Sequence, residues 1–129
     1  LVVAQGLSAI DYDLGVAMGT QEPASRVTEA GVAFWYGFAF ADLVFYIPLL
    51  AIGLVGHLRV ARWWRVIMGA VLGVTVYWPI VCLATLGDAR DAAGWRLPSE
   101  APYWVVLTLV VAWGAWGLVA VLRTSDAHP

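Results

Sequence analysis

Phe40-Ala-Asp-Leu-Val-Phe-Tyr-Ile-Pro-Leu-Leu50 is the stretch on which the reading of the whole chain turns. It lies in the middle of an apolar run from about Gly31 to Gly56 that is long enough to cross a bilayer as a helix, and it places one carboxylate, Asp42, near the half-way point. At ~1.5 Å per residue Asp42 stands roughly 17 Å from the outer start of that helix, too deep for a short side chain to reach water. Tyr46 follows one turn later and can donate a hydrogen bond. Pro48 then removes a backbone donor and frees a carbonyl one turn earlier. Acid, phenol and proline kink together predict the wall of a cavity.

The composition around this stretch excludes an ordinary soluble domain: 62% of the 129 residues are hydrophobic and 12% charged, with a mean hydropathy of +0.81. It predicts one all-α domain embedded in a membrane, with four helices at about 1–19, 30–57, 64–86 and 103–122. The sequence opens at Leu1 without a methionine, leaving room for a longer first helix or a removed leader. A net charge of -2 and seven arginines, scattered or at helix ends, give no case for nucleic acid. The single cysteine, Cys82, sits in an apolar segment and reads as a small buried hydrophobe.

In chain order, the first helix carries Asp11 and Asp13, which are about 200° apart around a helix and so point to different faces. Thr20 to Glu29 combines Pro23 with charged residues, a water-exposed connection with a helix start near Thr28. Trp35 and Tyr36 suit an interfacial belt. His57-Leu-Arg-Val-Ala-Arg-Trp-Trp-Arg65 belongs on the cytoplasmic side by the positive-inside rule, which makes both termini cytoplasmic if four helices cross. In the third helix Tyr77-Trp-Pro79 echoes Tyr46-Ile-Pro48, and Gly69 and Gly73 predict a smooth face for a neighbouring helix. Asp88 to Pro102 is a second outer loop, and the fourth helix holds Trp104 at its mouth and Trp113-Gly-Ala-Trp-Gly117 deeper in.

The chemistry rests on carboxylates. Ionisable side chains inside membrane helices are expensive enough to imply function. Trp35, Phe38 and Phe45 or Tyr46 share the Asp42 face at helical spacings, and an acid framed by aromatic rings suits a lipophilic ammonium ion. His57 and His128 have no second ligand at metal spacing, so no zinc, haem or other cofactor is predicted. No Ser-His or Cys-His pairing serves a nucleophile, and Ser8 reads as a helix serine bonded to its own backbone.

Ala41-Asp-Leu-Val-Phe-Tyr-Ile-Pro-Leu-Leu-Ala-Ile-Gly53 resembles the second helix of the sigma-two receptor, which reads acid-Leu-Val-Phe, two residues, then Pro. The chain thereby resembles the EXPERA group, helical membrane proteins that include the emopamil-binding sterol isomerase. Asp13-Leu-Gly-Val-Ala17 with Glu22-Pro23 is similar to the family's first-helix acid and following loop. Tyr77-Trp-Pro-Ile80 is similar to its third helix, and Arg-flanked Trp63-Trp64 to its inner turn. The second and third helices match best; the first loop is much shorter than in the animal receptor, and the fourth helix matches only in apolar character.

The resemblance implies that Asp13 is an amine-facing carboxylate and Asp42 its hydrogen-bonded partner, the pair sharing one proton in a low dielectric. It implies a cavity that also involves Tyr46, Trp35, Phe38, Tyr77 and Trp78, and a homodimer in a membrane, here a bacterial inner membrane. The function it implies is binding of a hydrophobic or cationic amphiphilic small molecule: a lipophilic amine, a sterol-like lipid or an isoprenoid. The alternatives are a double-bond isomerase of such a lipid and a proton-coupled transporter of lipophilic cations. The isomerase branch has a His one turn before its second-helix acid. Phe38 stands there in this chain, which counts against isomerisation.

Overall fold

The computed structural model describes Gly6 and residues 8–123, and among these every regular element is helical. A helical segment containing Ser8 to Ile10 is followed by α1 (Tyr12–Ala17), α2 (Ala24–Ala41), a π-turn (Asp42–Tyr46), α3 (Ile47–Leu58), α4 (Trp64–Ala89) and α5 (Ala101–Arg123). Three helices are long and apolar enough to cross a membrane: Ala24–Leu58 with 35 residues, Trp64–Ala89 with 26 and Ala101–Arg123 with 23. The chain is therefore a helical membrane protein.

The expected first helix differs. Its residues 1–5 and 7 lie outside the described residues, as does the expected cytoplasmic tail 124–129 with His128. The described remainder is interrupted at Asp11, whose extended backbone (φ -145°) makes it the N-cap of α1, its side chain accepting a hydrogen bond from the Leu14 N–H at 3.2 Å. Asp13 then occupies the first turn, where an acid complements the helix dipole. Asp11-Tyr-Asp13 is thus a helix start, a reading that competes with a continuous span and that apolar content alone does not reveal. α1 closes at Gly19 (φ 71°), with Thr20 N–H bonded to Gly15 O and Gly19 N–H to Val16 O, each at 3.0 Å. This is a Schellman cap with glycine in the left-handed position.

The chain divides into two compact units, residues 1–48 with 88–98, and residues 49–87 with 99–129. In the first, the Tyr12 hydroxyl donates to Glu22 O at 2.9 Å, and Arg26 pairs with Glu22 at 3.0 Å. The long helix starts in earnest at Thr28, as its sequence predicts: Thr28 has a non-helical backbone (φ 67°, ψ 167°), and its hydroxyl caps the Gly31 N–H at 3.3 Å. The loop 88–98 returns to this start, with Arg96 N–H donating to Arg26 O at 2.7 Å. The Trp95 ring closes over Gly31, where an added methyl would lie 3.4 Å from it.

The second unit is three helices with α4 touching both others. A methyl at Gly53 of α3 would meet Ile67 at 3.3 Å, one at Gly114 of α5 would meet Thr75 and Val76 at 3.1 Å, and one at Gly117 would meet Leu72 at 3.2 Å. Val71, Leu72 and Thr75 are accordingly buried. Gly69 and Gly73, expected to line a helix contact, have nothing within 4 Å of an added methyl among the described residues. The close approaches use the glycines of Trp113-Gly-Ala-Trp-Gly117 instead.

The same geometry predicts which glycines bear on stability. Gly114→Leu should cost about 1–3 kcal/mol through overpacking against Thr75 and Val76 and lower the unfolding temperature in detergent. Gly69→Leu, which meets open space, should leave that temperature unchanged; the reverse order would refute this packing.

Candidate functional site

The centre of the site is the π-turn. Pro48 has no N–H to give to the carbonyl four residues back, so the helix loses a rung of its ladder just beyond Asp42. The backbone widens: Ile47 N–H bonds to Asp42 O, five residues back instead of four. Tyr77-Trp-Pro79 does not repeat this, since α4 stays α-helical through Pro79. The two Tyr-x-Pro tripeptides are alike in sequence and different in conformation.

Exposure then sorts the stretch into two sides. Asp42 and Tyr46 are each 7% exposed, whereas Val44 is 55% and Phe45 59% exposed, so the acid and the phenol share the inward side and the two apolar neighbours face out. Of the sequence alternatives Phe45 and Tyr46, Tyr46 is the inward residue. Ala39, fully buried, extends the inward stripe one turn back.

The aromatic residues gather on the turns before the acid. Phe34 and Phe38 meet edge to face at 5.0 Å between ring centroids, Phe34 and Trp35 at 5.3 Å, and Trp35 and Phe38 at 6.4 Å. Phe38 is one turn from Asp42, a spacing that puts their Cβ atoms roughly 5–6 Å apart. Phe34 was missed by sequence reasoning; its signal is the i, i+4 spacing to Phe38.

Among the described residues, no hydrogen bond or ion pair reaches the Asp42 carboxylate. Buried carboxylates are nearly always paired, which makes an unpaired one a mark of function. Asp13, the expected partner, is exposed on α1 and shares no hydrogen bond with Asp42. Among the described residues, Gly6 lies beside the π-turn, where an added methyl would lie 3.8 Å from Leu43 Cδ1. Ser8 is fully buried and packs against Gly15. Tyr77 is 65% exposed on α4, Trp78 is half-buried, and no group of three metal-ligating side chains occurs among the described residues. No protein-family model, curated protein or solved structure matches the chain.

An unpaired carboxylate held in apolar surroundings destabilises the protein that holds it. Asp42→Leu should therefore raise stability in detergent by about 1–3 kcal/mol, read as a higher unfolding temperature. A lower temperature would assign Asp42 a structural bond.

Proposed function

We propose that the chain is a membrane-embedded binding protein for a hydrophobic small molecule bearing a cationic amine, with Asp42 as its counter-ion. One observation carries the reading: a carboxylate buried without a partner among the described residues, at the head of a π-turn in a helix long and apolar enough to cross a membrane. A desolvated ammonium would neutralise it, and the rings of Phe34, Trp35 and Phe38 would add apolar contact and cation-π attraction, the latter worth about 2 kcal/mol when water is excluded. The resemblance to the EXPERA group supports the same ligand class. The geometry favours Asp42 over Asp13 as the amine-facing acid, the reverse of the order that the resemblance alone implies.

In this reading the short arginine-rich segment 57–65 lies in the cytoplasm. With the N-terminal segment as a fourth, interrupted span, both termini lie there too. A cysteine at Ala61 should then resist a membrane-impermeant thiol reagent applied from outside, and one at Ala92 should react.

The binding test uses purified protein and a panel of lipophilic tertiary amines. Asp42→Asn should weaken binding at least about tenfold, the equivalent of 1.4 kcal/mol, while Asp13→Asn has a smaller effect. Equal binding by Asp42→Asn and the parent chain would remove the proposal. Turnover is tested separately, by incubating the protein with sterol-like and isoprenoid alkenes in heavy water; deuterium in the recovered lipid would convert the binder into an isomerase.

A further inference from the structure

The connection between α3 and α4 breaks two rules of local structure at once. α3 ends in a Schellman cap, with Ala61 N–H bonded to Gly56 O at 2.9 Å and Val60 N–H to His57 O at 3.0 Å, the same pattern that closes α1. In α1 the left-handed position is Gly19 (φ 71°); here it is Val60, at φ 51°. A β-branched residue in that region is strained, and glycine would fill it without cost. The strain yields no packing within the chain, because Val60 is 82% exposed, as is Leu58 at 80%. A strained backbone that holds up a bare hydrophobic side chain implies an apolar medium at the tip.

The charges around the tip have one sign. Arg59 and Arg62 are exposed, Arg65 lies 5.7 Å from the Trp64 ring centroid, and none of the three pairs with a carboxylate among the described residues. Along the chain, no Asp or Glu occurs between Asp42 and Asp88. Trp63, half exposed, lies across Gly56, and His57 meets Trp64 edge to face at 4.6 Å. Both rings are thereby fixed at the level of the arginines.

We propose that this turn is a binding site for anionic phospholipid headgroups: Arg59, Arg62 and Arg65 take the phosphates while Leu58 and Val60 enter the acyl region below them. Charge complementarity selects the anionic lipid, and the two exposed apolar residues select a lipid over a soluble anion. The site shares no residue with the one at Asp42.

The test is native mass spectrometry of the full chain released from micelles containing equal amounts of phosphatidylglycerol and phosphatidylcholine. The parent chain should retain phosphatidylglycerol preferentially. Replacing all three arginines with Gln should abolish the preference, a loss of about fivefold per arginine and roughly a hundredfold together. Arg123→Gln, outside the turn, should leave it intact. Val60→Gly should raise the unfolding temperature by relieving the backbone, yet reduce lipid retention, a combination that a merely structural role does not produce. Unchanged preference in the triple variant, or unchanged retention in Val60→Gly, would overturn the proposal. So would displacement of the lipid by millimolar inorganic phosphate, which would identify a soluble-anion site.

Discussion

A helix inside hydrocarbon has no water to bond, so each backbone carbonyl it exposes must find a donor in the protein or remain a standing cost. Pro48 removes one donor from the helix that crosses most of this chain, and the ladder responds by widening until Ile47 reaches back to Asp42. Much else in the first unit accompanies that adjustment. The inward stripe of Ala39, Asp42 and Tyr46 converges on it, the aromatic cluster of Phe34, Trp35 and Phe38 ends one turn before it, and Gly6 lies beside Leu43 within it. The acid and the irregular backbone occupy the same few residues.

The long helices were legible in the sequence because hydrocarbon imposes a length and a composition that few other structures share. The expected 30–57, 64–86 and 103–122 correspond to Ala24–Leu58, Trp64–Ala89 and Ala101–Arg123, and Thr28 starts the first of these as an N-cap should. The π-turn was half legible: Pro48 announced a freed carbonyl, but not whether the helix would kink, take a side-chain donor or widen. The four-residue spacing put Asp42 on one side with Tyr46 but left Phe45 as an alternative, which burial of Tyr46 and exposure of Phe45 decide. The break at Asp11 was written in capping chemistry, which the apolar character of Leu1 to Gly19 obscured. Helix contacts were the least legible. Gly69 and Gly73 carry the familiar spacing, yet Gly53, Gly114 and Gly117 carry the approaches, because a smooth face becomes a contact only where another helix passes.

Charge follows a similar division of labour. The charged side chains between Asp42 and Asp88 are all positive and gather at one turn, while the described carboxylates other than Asp42 occur at or in α1, in the two loops and near the helix ends. A membrane protein of this size has few ionised groups to distribute, and their placement sets orientation and surface contacts, not core stability.

A π-turn holds one residue more than the α-helical turn it replaces, so every position after it is out of phase with an unbroken helix by about 100°. Gly53 and Gly56, which approach Ile67 and Trp63, both follow it along the chain. Deleting one residue from Leu43 to Phe45 would restore a regular helix with a complete bonding ladder up to Pro48, at the expense of the turn that carries Asp42 and Tyr46. The apparent irregularity is a register mark, carried by the same five residues as the acid and the phenol.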